Sequence, residues 1–319
     1  MKKIKTESQP EVSIVIVCMN KMSNLDICLP SIEKYTKTPH VVYVVAYLFS
    51  EANLIKLHEQ YPWVKVIESN EIKGFSENNN LALRKVTTPL AFILNDDTEF
   101  KEPVLDKLIA SLYKTPEATV MSPVIWNGEG AMLFSGRRKE TFCAYLLSRF
   151  LKYRKKKSKF ENGSGIFKTY TLSGAAFLIY TRAFREIGFF NEFYFFCPED
   201  VEVGHKLNHN NKFCYVDADT NIIHYESVSS KKSKLFYATT IATHLGVCYF
   251  YGNSKAKRFS LLLLFAYKYW MHKMLNFIKR TKHHEDYIYI YSIVLRSYLK
   301  KELPKTVFIR EYNKIKENI

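Results

Sequence analysis

Glycine is scarce and arrives late, with 11 in 319 residues and none before Gly74. The first strand therefore cannot lead into a G-x-G-x-x-G turn or a P-loop, which argues against dinucleotide oxidoreductases and P-loop kinases. A diphosphate bound without such a glycine nest needs a metal ion or cationic side chains to offset its charge. The six cysteines (Cys18, Cys28, Cys143, Cys197, Cys214, Cys248) include no C-x-x-C pair. Several sit inside apolar runs where a thiol simply packs, so a reduced compartment is expected. Long apolar runs are also missing. The longest near the C-terminus, Phe259 to Tyr267, is interrupted by Ser260 and stopped by Lys268, well short of the roughly 20 residues that cross a bilayer. Met1 to Glu11 is polar and charged, without the apolar stretch of a secretory signal. These absences predict a cytoplasmic chain with no transmembrane helix.

Acid is scarce at one end. The formal charge is +16, and from Lys231 to Ile319 there are 18 basic against 5 acidic side chains, so about +13 of it lies there. The remainder is nearly balanced and 47% of all residues are hydrophobic, enough to bury a large core. A catalytic domain over 1–230 and a helical, basic region over 231–319 are expected.

The balanced part alternates. Val12 to Met19, His40 to Tyr47, Val64 to Glu68 and Leu90 to Leu94 are short apolar runs of the kind that form buried parallel strands. Asn24 to Tyr35, Glu51 to Tyr61 and Ser76 to Lys85 read as helices between them. Strand, helix, strand in repetition implies a doubly wound α/β sheet, in which ligands bind beyond the carboxyl ends of the strands. Thr119 to Trp126, Thr169 to Tyr180, Phe213 to Val216 and Asn221 to Tyr225 read as further strands, and Pro198 opens a helix. A polar, basic insert spans Arg137 to Gly165.

Chemistry-bearing residues fall at the strand ends. Asn95-Asp96-Asp97-Thr98 follows the apolar run Leu90 to Leu94, where carboxylates can bridge a divalent cation to a diphosphate. The same residues also suit a polar turn before a helix starting near Pro103. Phe195-Phe-Cys-Pro-Glu-Asp-Val-Glu202 is an acidic helix start behind an aromatic run. Its acids can complement the helix dipole, and Glu202 can pair with Lys206, whereas Asp200 can take a proton from a sugar hydroxyl if it lies near Leu172-Ser-Gly-Ala-Ala176. His224 reads either as a structural strand histidine or as a metal ligand.

In order, these motifs resemble the family 2 glycosyltransferases of GT-A fold, in particular the rhamnosyltransferase-like branch that builds bacterial surface polysaccharides. The likeness runs from about Val12 to Ser230. Val12 to Asn20 is similar to the family's first strand, ending in an Asn that contacts the sugar donor. Gly74-Phe-Ser-Glu-Asn-Asn-Asn80 is similar to its Gly-Phe-x-x-Ala-Asn-Asn segment, placing Gly74, Asn78 and Asn79 near the nucleotide. Asn95-Asp96-Asp97 resembles its Asp-x-Asp element, with Asp96 toward the donor and Asp97 as principal metal ligand. Leu172 to Tyr180, Ile187-Gly-Phe-Phe-Asn-Glu192 and Glu199-Asp-Val-Glu202 resemble its acceptor-side strand, Gly-x-Phe-Asp-Glu turn and Glu-Asp-x-Asp box, which makes Asp200 the catalytic base. His224 resembles a downstream His that helps hold the metal-diphosphate. Two departures stand out. The second strand ends Val44-Val-Ala-Tyr47 without the usual Asp, leaving Glu51 as a nearby acid, and the box closes with Glu202, followed by Gly204-His-Lys206 where an Arg is common.

The resemblance implies an α/β GT-A fold with a mostly parallel sheet flanked by helices and a helical basic C-terminal appendage. It implies inverting transfer from a nucleoside-diphosphate sugar to a saccharide or lipid-linked acceptor, with Mn²⁺ or Mg²⁺ as cofactor. A catalytically inactive GT-A binding or scaffold subunit is the alternative, motivated by the missing second-strand acid. A nucleotidyltransferase ranks last, since Met19 to Leu29 lacks the glycine-rich loop it needs. Arg258 to Arg280 interleaves large apolar residues with Trp270, tyrosines and cations, as does the insert Tyr145 to Lys157. Both suit helices lying in a membrane interface, placing the protein at the inner face of the plasma membrane. Equally, they suit packing on the catalytic domain or a second subunit, as in a homo-oligomer. No nucleic-acid module accompanies the charge, so no nucleic-acid partner is expected.

Overall fold

A computed structural model describes residues 9–150, 163–225 and 235–316. The described residues form two units. One takes those of Met1–Arg138, Lys157–Phe190 and Val203–Glu226, the other those of Lys139–Lys156, Asn191–Glu202 and Ser227–Ile319. The boundary expected between 230 and 231, and the basic end of the insert at 151–157, lie outside the described residues.

The first unit opens with β1 (Val12–Met19), α1 (Met22–Tyr35), β2 (His40–Tyr47), α2 (Glu51–Gln60), β3 (Lys65–Ser69), α3 (Phe75–Leu83) and β4 (Leu90–Asn95). β5 (Thr98–Glu99), α4 (Val104–Lys114), β6 (Ala118–Trp126) and β7 (Gly136–Arg137) follow; α5 (Phe142–Phe150) belongs to the second unit. Next come β8 (Ile166–Thr169), β9 (Thr171–Leu172), β10 (Ala176–Tyr180), α6 (Thr181–Glu186), α7 (Glu199–His209) and β11 (Phe213–His224). The sheet order is β3-β2-β1-β4-β10-β6-β11-β5, with β8 also on β11 and a separate β7-β9 pair. β3, β2, β1 and β4 run parallel, and β10 is antiparallel to both β4 and β6.

Alternation along β1 explains why both faces of the sheet are covered. Val12, Ile14, Ile16 and Cys18 pack with Leu25, Leu29 and Ile32 of α1, Leu57 of α2 and Leu105, Leu108 and Leu112 of α4. Val15, on the opposite face, packs with Ala82 and Leu83 of α3, Phe184 of α6 and Val203 and Leu207 of α7. A strand buried on both faces must be apolar at successive positions, which is why these runs lack a polar alternation.

Two expected strands differ. Thr169 to Tyr180 is broken, because Ser173 donates its backbone N–H to Ser135 and its hydroxyl accepts from the Ala175 N–H, forming a turn. β9 consequently pairs with β7 rather than joining the main sheet. Phe213 to Val216 and Asn221 to Tyr225 are instead one strand with a bulge. Asp217 pairs with Pro123 and Asn221 with Val124, so three residues of β11 (218–220) have no counterpart on β6.

The second unit contains α5 with α8 (Leu235–Tyr251), α9 (Lys255–Ile278), α10 (Lys282–Leu299) and α11 (Pro304–Lys316). Its core joins Tyr145 of α5, Ile241 and Leu245 of α8, Leu261, Leu264 and Phe265 of α9, Ile290 and Val294 of α10, and Val307 of α11. Tyr145 is thus a packing residue, its ring stacked on Tyr251. One stripe of α9 stays uncovered within this unit. Phe259, Leu263, Tyr267, Trp270, Met274, Phe277 and Ile278 are exposed, at steps of three and four that place them on one helix face. Leu147 and Phe150 of α5 are exposed too, with Phe150 against Tyr267. No helix among the described residues is long and apolar enough to cross a membrane.

Gly246 of α8 is where helix and chain approach most closely, since a Cβ there would stand 2.2 Å from the backbone oxygen of Cys197. Gly246→Ala gains about 1 kcal/mol of helix propensity but must displace a backbone carbonyl, an overpacking cost of about 1–3 kcal/mol or more. A net loss of stability is expected, read as a lower urea midpoint at unchanged m-value; an unchanged or higher midpoint would contradict this packing.

Candidate functional site

The sheet reverses its strand order between β1 and β4, whose carboxyl ends lie side by side with Val17 paired to Asn95. Asn20 terminates β1 in the left-handed region at φ 50°. Its side-chain oxygen accepts from the Ser50 N–H and from Asn53 Nδ2, both at 2.9 Å, which fastens the end of β1 to the start of α2. Glu51 lies exposed in the first turn of α2, where Ser50 is the N-cap.

Beyond β4 the chain turns sharply, and the two aspartates separate. Asp96 faces inward and accepts from Asn24 Nδ2 of α1 at 3.1 Å. Burial pushes its pKa up to about 6, aided by the neighbouring Asp97 charge and opposed by hydrogen bonds from Cys18 and Asn24. Asp97 is 9% exposed, and its Oδ1 lies 2.9 Å from Nε2 of His224. Asn95 Nδ2 stands 3.3 Å from the same nitrogen. The contact is made by main-chain pairing, because β5 and β11 run antiparallel with His224 opposite Thr98 and Ile223 opposite Glu99. The Tyr225 N–H then donates to the Asp97 carbonyl at 2.9 Å.

The bulge in β11 decides which way His224 points. Before it, Cys214 and Val216 face the layer of α3 and α6; after it, Ile222, of the same parity, lies in the layer of α1 and α4. An odd number of inserted residues exchanges the two faces. The bulge is braced from within and from the α4 side: Asp217 Oδ2 accepts from Ser111 of α4 and from Thr220 at 2.7 and 2.8 Å, and Glu102, just before α4, accepts at Oε1 from the Asn221 N–H at 2.6 Å. Sequence reading missed these bracing residues, and also Asn24 and Cys18 behind Asp96; Asp217-Ala-Asp-Thr220 carries only the signature of a turn.

The donor set fits a hard or borderline divalent cation. Ligand atoms on adjacent vertices of an octahedron with bonds of about 2.1 Å lie about 3.0 Å apart, and the Asp97–His224 separation is 2.9 Å. One carboxylate oxygen and one imidazole nitrogen suit Mn²⁺, and oxygen-rich completion by a diphosphate suits Mg²⁺ equally.

The segment from Gly74 is built differently. Gly74 begins α3 and donates its N–H to Glu77 Oε2 at 3.1 Å. Asn78 and Asn79 are buried: Asn78 accepts from Ser69 at 2.7 Å and donates to the Lys73 carbonyl at 3.2 Å, and Asn79 donates to the Phe75 carbonyl at 3.0 Å. Asn80 exchanges two bonds with the backbone of Phe190. These amides shape the backbone at the end of β3.

Asp200 lies in the first turn of α7, whose residues 199–202 belong to the second unit. In that unit the approach to α7 is held by aromatic packing. The Phe195 ring lies 4.3 Å from that of Phe308 in α11, and Phe193 meets Tyr249 of α8 edge-on at 5.3 Å. Asp200 Oδ1 accepts from the Val201 N–H at 2.7 Å. Glu199 beside it has a buried Oε2 without a hydrogen-bond partner among the described residues. Burial and the Asp200 charge raise its pKa well above the ordinary carboxylate value, so Glu199 holds a proton where an exposed glutamate has lost it.

A mixed α/β sheet of this order, with carboxylate and imidazole meeting beyond β4, defines a GT-A nucleotide-sugar transferase fold. The family described as Glycosyl transferase family 2 matches residues 13–188, and the chain belongs to it. The O-antigen biosynthesis protein RfbC of Myxococcus xanthus is 24% identical over 228 residues, 70% of this chain; the chain spans 18% of that relative's length. The crystal structure of GalNAc-T7 with UDP, GalNAc and Mn²⁺ resembles 67% of this chain over 44% of its own, at 16% identity and a TM-score of 0.53. The mannosyltransferase PcManGT of Pyrobaculum calidifontis, in complex with GDP-Man and Mn²⁺, resembles 92% of this chain over 87% of its own, at 11% identity and a TM-score of 0.50.

The raised pKa of Glu199 has a sign that can be worked out. Above the ordinary glutamate value of 4.5 the unfolded chain sheds this proton while the folded chain keeps it, so stability falls as pH rises until the raised folded pKa is passed. The slope contributed is at most about 1.4 kcal/mol per pH unit. Glu199→Gln is expected to flatten the fall of stability from pH 5 to 7 relative to the parent, measured by urea unfolding; parallel curves would show that Glu199 is ionised in the fold.

Proposed function

We propose that the chain is an inverting, divalent-metal-dependent glycosyltransferase that moves a sugar from a nucleoside diphosphate to a hydroxyl of a saccharide or lipid-linked acceptor in cell-surface polysaccharide synthesis. The observation that carries this reading is the Asp97–His224 pair, 2.9 Å apart beyond the carboxyl end of β4. The Mn²⁺, UDP and GDP-Man named with the two similar structures support the cofactor and donor class. The role named for the Myxococcus relative supports the polysaccharide product.

In this mechanism Asp200 takes the proton of the acceptor hydroxyl as that oxygen attacks the anomeric carbon, and the bond to the diphosphate breaks with its electron pair leaving on phosphate oxygen. Burial and the Asp200 charge drive Glu199 toward its protonated form, so it adds little negative charge beside the base. Asp97 and His224 would hold Mn²⁺ or Mg²⁺, which would supply positive charge to offset that developing on the departing diphosphate. Asp96 backs that turn, while Asn20, Gly74, Asn78 and Asn79 shape the donor side.

Asp200→Asn is expected to lower transfer by about 10²- to 10⁴-fold while leaving the Mn²⁺-dependent thermal shift by a nucleoside-diphosphate sugar intact. Asp97→Ala is expected to remove that shift. A parent chain that binds such donors without turnover over a panel of acceptors would favour the inactive binding subunit.

The exposed stripe of α9 supports a place at the cytoplasmic face of a membrane, beside a lipid-linked acceptor. Lys273 lies 4.7 Å from the Trp270 ring centre, an arrangement in which the ring enters the interface and the cation stays among headgroups. Each such cation contributes about 1 kcal/mol near an anionic leaflet. Flotation with phosphatidylserine vesicles is expected to carry the parent chain up, and Trp270→Ser with Phe277→Ser to reduce the floated fraction several-fold; equal flotation would place the stripe elsewhere.

A further inference from the structure

The second unit contains a cluster that the transferase reading leaves unused. α9 and α10 are joined by only residues 279–281, so the last turns of one helix face the first turn of the next. The turn is braced: the Thr281 N–H donates to Asn276 Oδ1 at 3.0 Å, and the His284 N–H donates to Thr281 Oγ1 at 3.2 Å. This brings His272 of α9 against His283 and His284 of α10. The Nδ1 atoms of His272 and His284 are 3.0 Å apart, and one ring nitrogen from each of the three histidines lies within 4.8 Å of the others. Among the described residues no other three His, Cys, Asp or Glu side chains converge in this way.

We propose that His272, His283 and His284 form a binding site for a borderline divalent transition ion, of which Zn²⁺ is the type, stapling α9 to α10. Three imidazoles with neither carboxylate nor thiolate form a nitrogen-only donor set, which selects Zn²⁺, Co²⁺, Ni²⁺ or Cu²⁺ over Mg²⁺ and Ca²⁺. In a tetrahedral site with bonds of about 2.0–2.1 Å, neighbouring ligand atoms stand about 3.3 Å apart. The His272–His284 pair, at 3.0 Å, is already near that edge. His283 is exposed and can turn inward by side-chain rotation, whereas His272 is buried.

Aromatic packing holds the His272 ring in place. The His272 ring stacks on Tyr287 at 5.1 Å and packs against Tyr291. Two nitrogens 3.0 Å apart can share one proton, but a proton ties only one pair of rings. A divalent ion ties all three and leaves a fourth position for water. The donor set also differs in kind from the carboxylate-imidazole pair of Asp97 and His224, so the two sites sort metals differently and the proposal stands whether or not the chain transfers sugar.

The test is a titration of the full chain, prepared without a polyhistidine tag and stripped with chelator. Zn²⁺ is expected to bind, and at 100 times its Kd to stabilise the fold in line with RT ln(1 + [Zn²⁺]/Kd), read as a raised thermal midpoint. Co²⁺ is expected to give the intense visible absorption of a tetrahedral nitrogen site. His283→Ala, at an exposed position, and His284→Gln are each expected to weaken binding by at least 10-fold at unchanged far-UV circular dichroism, while Asp97→Ala leaves it unchanged. No Zn²⁺ uptake by the parent, uptake undiminished in both histidine variants, or a Co²⁺ spectrum of six-coordinate type would overturn the proposal.

Discussion

The candidate site depends on one short piece of main-chain pairing, in which Thr98 and Glu99 run antiparallel to Ile223 and His224. Asp97 immediately precedes this ladder, and its carbonyl accepts from the Tyr225 N–H. The backbone of the aspartate is therefore fixed on both sides of the contact its side chain makes with His224. A carboxylate on a free loop would have to lose side-chain and backbone entropy on meeting a cation. Here much of that loss is taken in folding, and the two side-chain atoms already stand together. The pairing is itself conditional on the β11 bulge, since the strand must change faces between Val216 and Ile222 for the imidazole to arrive on this side. Ser111 of α4, bonded to Asp217, and Glu102 just before α4 hold the bulge. The geometry at the end of β4 is thus enforced in part by residues on and just before a neighbouring helix.

Much of this was legible in the sequence, and the part that was not has a common cause. Runs such as Val12 to Met19 announce buried strands because both faces must be apolar, and the missing early glycines removed the rival phosphate cradles. Asp97 and His224 were readable as candidates from strand ends and motif order. Their approach was not, because it rests on a bulge whose polar residues, Asp217-Ala-Asp-Thr220, look like any solvent-exposed turn until Ser111 and Glu102 are seen beside them. The opposite behaviour of Asp96 and Asp97 was likewise hidden, since it depends on Asn24 and Cys18 from a different strand-helix unit. In Gly74 to Asn80 the motif was recognisable, yet the amides of Asn78 and Asn79 face the protein's own backbone. A motif gives the position of a residue more readily than the direction of its side chain.

Asp96 and Glu199 illustrate how burial beside a like charge shifts a carboxyl group. Asp96 and Glu199 are driven toward their protonated forms by burial and by the charge of the adjacent aspartate. In each motif the charge of the neighbouring aspartate adds to burial in raising the pKa of one acid.

The second unit cannot be regarded as a detachable anchor. Residues 191–202 are packed within it, with Phe195 against Phe308 of α11 and the Cys197 carbonyl against Gly246 of α8. Removing the C-terminal helices would strip the support from beneath the turn that presents Asp200, so loss of activity on truncation would say nothing about membranes. Point changes on the exposed face of α9 avoid this, because Phe277 is 94% exposed and has little packing to lose. The same helices therefore carry opposite demands on opposite faces. Inward, Leu264, Phe265 and Ile290 must be rigid enough to hold an acid in place; outward, Trp270 and Phe277 remain apolar where water would favour polar residues. Such a helix keeps one apolar face against its own unit and leaves the other uncovered within it.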